Sequence, residues 1–225
     1  MTRRADVRAT YDRIAAHFAE TRPEPWPEVE RFVDGRTGRL ALDLGTGNGR
    51  HAELLAARAD RVLAADLSRA ALDVAAARAA EGGYALEWLQ ADAAAIPVRS
   101  GAVDLAVYVA TLHHLPSREL RVGSLDELAR VLASTGAAIV SAWSVTHDRF
   151  DATSGFDTTV DWTLPDGETV GRYYHVYDPE EFEADIAASR LRPESVFQAA
   201  GNCYAVVGPE RNAHGAAGGA GTHGR

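Results

Sequence analysis

Between residues 39 and 145 short apolar runs alternate with helix-patterned segments, and this rhythm constrains the fold more than any other feature. RLALDL (39–44), RVLAADL (61–67), YALEWLQAD (84–92), VDLAVYVA (103–110) and AAIVSAWSV (137–145) read as five strands. VDLAVYVA is almost continuously apolar, as a strand buried on both faces requires. Between them lie helical stretches. RHAELLAARA follows a run of glycines, and RAALDVAAARAAEG begins after the capping residue Ser68 and stops at Gly82-Gly83. SRELRVGSLDELARVLA ends before Gly136. PESVFQAA and NCYAVVG, joined at Gly201-Asn202, read as a closing antiparallel hairpin. The pattern predicts an α/β fold with a doubly wound, mostly parallel, seven-stranded sheet and a C-terminal antiparallel hairpin.

The flanks divide the chain further. Residues 1–38 predict an N-terminal helical lid or substrate segment. DVRATYDRIAAHF (6–18) carries Val7, Tyr11, Ile14, Ala15 and Phe18 on one stripe, and a short helix restarts near Pro27 after three prolines. The main domain is expected over 39–208. Within it, 146–177 is polar, aromatic and long for a connection, which predicts an insertion or substrate lid. DPEEFEADIAAS is a helix capped by Asp178. The Gly- and Ala-rich tail, 209–225, is expected to be disordered.

Charge narrows the partners. The chain has no lysine and a formal net charge of −9. Eleven acids and two arginines fall between Asp148 and Asp185, so that segment alone carries the net charge. It reads as a solvated acidic face. Any nucleic acid must then be met by a local arginine patch. The single cysteine, Cys203, excludes an internal disulfide framework. With no signal peptide and no apolar run of membrane-spanning length, a soluble, cytoplasmic protein is expected, with no membrane contact. No metal site is expected, since no H-x-x-x-H spacing occurs.

LDLGTGNGR (42–50) carries the most chemistry. A phosphate-binding P-loop needs a lysine after its last glycine, and this chain has none. The spacing Gly45-x-Gly47-x-Gly49 is tighter than a dinucleotide fingerprint, and Asp43 precedes it by two residues. Glycines there let a ligand approach the backbone. An acid at the strand end suits a cation better than a pyrophosphate. Asp66 ends the second strand, where a doubly wound site reads a ribose diol, and Asp92 ends the third. The expected ligand is a nucleoside with a positive group and no phosphates.

D-L-G-T-G-N-G (43–49), A-D-L-S (65–68), Q-A-D-A (90–93) and V-D-L-A-V (103–107) resemble the class I S-adenosylmethionine-dependent methyltransferases. The resemblance implies a Rossmann-like methyltransferase domain with S-adenosyl-L-methionine as cofactor. Asp43, Gly45, Gly47 and Gly49 would pass its methionine and ribose. Asp66, with Leu67 beside it, would hold the ribose hydroxyls, and Asp92 and Ala93 would meet the adenine. Three further segments, T-R-P-E-P-W-P (21–27), H-H-L-P-S-R-E-L-R-V (113–122) and R-Y-Y-H-V (172–176), are similar to the tRNA wobble-uridine methyltransferases, which esterify a carboxymethyl group on that base. That resemblance implies catalytic roles for His114, Arg118 and Arg121. It implies substrate-binding roles for Arg22, Trp26, Arg172, Tyr174 and His175. It also implies a tRNA anticodon loop as substrate, and a small zinc-binding activator protein that adds a strand beside strand four or strand three. Departures are Leu120, where a further arginine is common, and Gly201-Asn202-Cys203-Tyr204 in place of Asp-Asn-Trp-Tyr.

A carboxylate acceptor is ionised at neutral pH and needs no general base. It needs orientation, which an arginine fork supplies. A neutral hydroxyl or amine acceptor would need His113 or His114 as base. Two other readings stand beside the tRNA enzyme: a methyltransferase acting on a small-molecule carboxylate, quinone or biosynthetic intermediate, which the acidic segment favours, and a non-catalytic cofactor-binding subunit. Structural roles compete for the same residues. Trp26 also suits a lid over the cofactor, Arg118 and Arg121 a helix surface, and RYYHVY a strand core.

Overall fold

The computed structural model describes residues 4–210, so the tail expected to be disordered lies, from residue 211 on, outside the described residues. β1 (Gly38–Leu44), β2 (Ala59–Asp66), β3 (Glu87–Gln90), β4 (Val103–Tyr108), β5 (Leu132–Trp143), β8 (Leu191–Ala199) and β9 (Asn202–Pro209) form one sheet in the order β3-β2-β1-β4-β5-β9-β8. β1 to β5 are mutually parallel, and β9 runs antiparallel to both β5 and β8. Strand order reverses between β1 and β4, and ligands of open α/β sheets bind in the crevice beyond such a switch point.

Side-chain alternation divides the core into two layers. Leu42 and Leu44 of β1 and Ala106 and Tyr108 of β4 face α5 (Arg118–Val131) and α6 (Pro179–Ala188). Ala41, Leu105 and Val107 face α2 (Pro27–Val33) and α3 (Arg50–Ala56). α4 (Arg69–Gly82) starts at Ser68, whose hydroxyl accepts from Ala71 N–H, and ends at Gly83 in the left-handed conformation.

Two differences from the sequence reading bear on function. Residues 146–177 hold a two-stranded antiparallel sheet, β6 (Phe156–Thr163) and β7 (Thr169–Val176), separate from the main sheet. β4 is hydrogen-bonded to β1 on one side and β5 on the other, so no partner strand can add beside it; β3, exposed at three of its four positions, is an edge. The first helix, α1 (Arg4–Glu20), extends two residues beyond the expected helix, 6–18, at each end.

Candidate active site

The carboxyl ends of β1, β2 and β4 meet α1 around a cavity. Gly45, Gly47, Asp66, Leu67, Asp92, Ala93, Thr111 and His114 line it from the sheet side, with Val7, Tyr11 and Phe18 from α1. α1 is tied down over it. Asp12 accepts from the Ser68 hydroxyl at 2.7 Å and from Ala70 N–H at 3.3 Å, at the start of α4. Arg4 pairs with Asp92 at 2.6 Å.

The glycine loop is built to leave room. Gly47 has φ +55° and a Cβ there would meet no protein atom, only the cavity. Gly45 has φ +76°, and a Cβ would fall 2.1 Å from Thr111 Oγ1. Gly45→Ala therefore combines a left-handed backbone, costing about 1–2 kcal/mol, with a clash against β-branched Thr111. The expected outcome is a lower melting temperature and lost cofactor binding by calorimetry, whereas an unchanged affinity would show that the loop does not hold the ligand.

Acids gather under the loop. Asp66 accepts from Gly47 N–H at 2.9 Å and Ser68 N–H at 2.8 Å, and burial raises its pKa despite these bonds. Asp43 is not in the cavity wall. It lies beneath the loop, 2% exposed, accepting from Thr46 at 2.7 Å. Burial first, then the neighbouring Asp66, lifts its pKa to about 7. Gly49 also sits behind the wall, packed on Ala75 as the N-cap of α3. A cradle with an open glycine and buried acids fits a cationic nucleoside such as S-adenosylmethionine.

The two histidines after β4 occupy a 3₁₀ turn, Leu112–His114. Trp143 N–H donates to His113 Nδ1 at 2.9 Å, so His113 carries its proton on Nε2. The Tyr173 carbonyl can only accept, so His114 is protonated on Nδ1, 2.9 Å away. Its Nε2 then accepts from the Tyr11 hydroxyl at 2.7 Å. Burial holds both imidazoles neutral, His114 at about 4 and His113 well below its ordinary value.

Behind Tyr11 and His114 lie Tyr174 and Arg172. The Tyr174 ring is 4.6 Å from that of His114. Arg172 is 8% exposed, donates from Nη1 to the Tyr174 hydroxyl at 2.8 Å, and sits 4.7 Å over the Trp162 ring. Its Nε is buried without a hydrogen-bond partner. No acid pairs with Arg172 among the described residues.

The other residues singled out in the sequence lie elsewhere. Arg118 and Arg121 do not reach the cavity; they pair with Asp185, at 2.7 and 3.7 Å, because α6 buries that carboxylate completely and needs cations beside it. His175 points to the opposite face of β7 from Arg172 and Tyr174, toward Asp157 and Glu181. Trp26 packs against the α2–α3 layer, with its backbone N–H on His51 Nε2 at 3.3 Å, so it touches the cavity only through its neighbours. Arg22 is exposed beside Phe18 and Trp162, at 5.8 and 6.0 Å from their rings. Tyr11, which sequence reading placed on an apolar stripe, proves to be the residue that joins α1 to His114. Trp162 carried no signal beyond lying in a polar segment.

Residues 42–140 match the family model of the methyltransferase domain. Curated relatives include the mouse protein tRNA (carboxymethyluridine(34)-5-O)-methyltransferase ALKBH8, 34% identical over 144 residues, covering 63% of this chain and 20% of that one. The Saccharomyces cerevisiae tRNA (carboxymethyluridine(34)-5-O)-methyltransferase is 30% identical over 167 residues, covering 71% of this chain and 57% of that one. The chain thus spans about a fifth of the mouse relative and little more than half of the yeast one. Among solved structures, the DhpI-SAM-HEP complex aligns with a TM-score of 0.73 at 22% identity, covering 93% of this chain and all of that one. The CcbJ methyltransferase from Streptomyces caelestis aligns with a TM-score of 0.70 at 18% identity, covering 92% and 99%. At such identities these structures establish the fold.

Proposed function

From the premise that this chain carries a class I S-adenosylmethionine-dependent methyltransferase domain, we propose that it methylates a carboxylate, the carboxymethyl group of a tRNA wobble uridine, to the methyl ester. Arg172 carries this reading: a buried guanidinium with no acid beside it among the described residues and an unused Nε–H, one side chain behind the cavity wall. Such a group is costly to bury unless an anion joins it. S-adenosylmethionine, when bound, supplies an electrophilic methyl group. Asp66 and Leu67 would hold its ribose and Asp92 and Ala93 its adenine, with Asp43 and the glycines at its methionine end.

The chain's own residues then orient the acceptor. As the acceptor enters and displaces Tyr11 from the wall, Arg172 grips the carboxylate as a planar fork. Neutral His113 and His114 add no competing charge, and the carboxylate needs no proton removed. On esterification the acceptor loses its charge and with it the arginine pair, so the site holds substrate better than product. Arg22, exposed beside Phe18 and Trp162, would meet the nucleic-acid backbone. The tRNA assignment draws on the names of the relatives; a zinc-binding activator rests on the sequence resemblance alone, and the β3 edge with Trp88 40% exposed offers it a place. A small carboxylate acceptor is the second reading, favoured by the acids Asp161, Asp166 and Glu168 on the β6–β7 hairpin.

The test is methyl transfer from labelled cofactor to tRNA from cells lacking this gene, with and without the activator. A methyl ester on carboxymethyluridine is expected. Carbamoylmethyluridine, a neutral isostere, should be accepted at least about a hundredfold less well, because it leaves Arg172 unpaired. Labelling of small carboxylates alone would turn the assignment to the second reading.

A further inference from the structure

The β6–β7 hairpin touches the main sheet through little backbone. An isolated bridge joins Ser144 to Tyr177, where Tyr177 N–H donates to Trp143 O at 2.9 Å and Val145 N–H to Tyr177 O at 2.8 Å. Its position must otherwise come from side chains. β7 presents Arg172 and Tyr174 toward α1 and the 3₁₀ turn, and its alternate residues toward α5 and α6.

That second face is an ionic lattice. His175 bridges Asp157 Oδ1, its cross-strand partner on β6, at 2.7 Å and Glu181 Oε1 on α6 at 2.9 Å. Glu181 also takes Arg121 Nη2 at 3.5 Å. Asp185, fully buried one helical turn on, accepts from Arg118 Nε at 2.7 Å and from the Tyr177 hydroxyl at 3.1 Å, with Arg121 Nε 3.7 Å away. The Arg121 guanidinium lies 5.2 Å over the Tyr177 ring. The lattice thus ties α5, α6 and both hairpin strands together, and none of its members lines the cavity.

We propose that Arg118, Arg121 and His175 are positioning residues: with Asp185 and Glu181 they set the register of β7 against α5 and α6, and so hold Arg172, Tyr174 and the Tyr173 carbonyl in place at the acceptor end. The Tyr173 carbonyl fixes the His114 tautomer, which gives a reporter independent of any acceptor. Only the kinetic arm of the test rests on the proposed function.

The experiment combines ¹⁵N-histidine NMR with acceptor kinetics on Arg121→Met, Arg121→Lys, Arg118→Gln and Glu181→Gln. The parent chain should show His114 as the Nδ1–H tautomer. Arg121→Met and Glu181→Gln should let it exchange with the Nε2–H form while cofactor affinity stays unchanged. Acceptor KM should rise on the order of tenfold or more, as misplacement of about an ångström does, and Arg121→Lys should recover part of it. The salt dependence of tRNA binding should keep its slope, since a direct phosphate ligand would lower it by about one. If Arg121→Met does not fold, the half-exposed Arg118 and part-exposed Glu181 variants carry the same comparison. A locked His114 in every folded variant overturns the proposal, and a flattened salt slope alongside it makes these arginines RNA ligands. If no tRNA is methylated at all, the His114 signal still decides.

Discussion

Arg172→Met is expected to abolish most turnover while leaving the fold as stable as before, or more so. This guanidinium is buried against Trp162 and Tyr174 with no acid among the described residues to neutralise it. The rings offset part of the desolvation, each contact being worth about 0.5–2 kcal/mol, but the Nε–H remains unsatisfied. Removing the charge removes that cost, and methionine can fill the space. Losing one partner of a buried charge pair in the complex costs about 2–5 kcal/mol, so kcat/KM should fall on the order of thirtyfold to several thousandfold. Cofactor affinity should not change, because Tyr11 and His114 stand between Arg172 and the cavity. Arg172→Lys should recover little, since a point charge does not reproduce the planar fork. A melting temperature that drops with activity would instead make Arg172 a packing residue. Thermal unfolding beside kinetics on the same preparations separates the two.

That opposition between stability and use marks where the sequence could and could not be read. The parallel strands were legible because burial on both faces leaves near-continuous apolar runs, and the loop because Gly45, Gly47 and Gly49 all take positive φ. The hairpin was legible only in part, since R-Y-Y-H-V-Y suited a strand core but its pairing did not show. F-D-T-T-V-D-W-T and T-V-G-R-Y-Y-H-V do alternate around a Pro165-Asp166-Gly167 turn, but their inward residues include a charged arginine and a tyrosine. A hydrophobic period cannot mark a face whose work is polar. The arginines failed differently. Spacing puts Arg118 and Arg121 on one side of α5, but nothing local says whether that side meets an acceptor or α6. The deciding residue, Asp185, lies more than sixty positions away. Adjacent His113 and His114 likewise look alike in sequence, and different backbone groups of β5 and β7 give them opposite tautomers.

Cofactor affinity is expected to weaken as pH falls through about 7, and Asp43 is the reason. Burial lifts its carboxyl to about 7, with Asp66 adding to the rise and Thr46 and Arg50 opposing it. The native state without cofactor therefore holds a proton that the unfolded chain, with an ordinary carboxyl near 3.9, has lost. The sign follows. The stability that Asp43 contributes is present at low pH and declines as pH rises from about 4 to 7. Above 7 the ionised, buried carboxylate is a strain that a cationic ligand relieves. Below 7 it is neutral, and the ligand must displace a proton to find its counter-charge. Affinity should then fall by up to about tenfold per pH unit. The cavity histidines do not confuse the reading, since burial holds His51 at about 3 and His114 at about 4, below the range to be scanned. Calorimetry between pH 5.5 and 7.5 in buffers of different ionisation enthalpy should show proton release on binding. Asp43→Asn should abolish that release, flatten the profile and bind on the order of tenfold to a hundredfold more weakly at pH 7.5. A parent chain whose affinity is flat over this range would mean that Asp43 is already ionised, with Thr46 and Arg50 outweighing its burial.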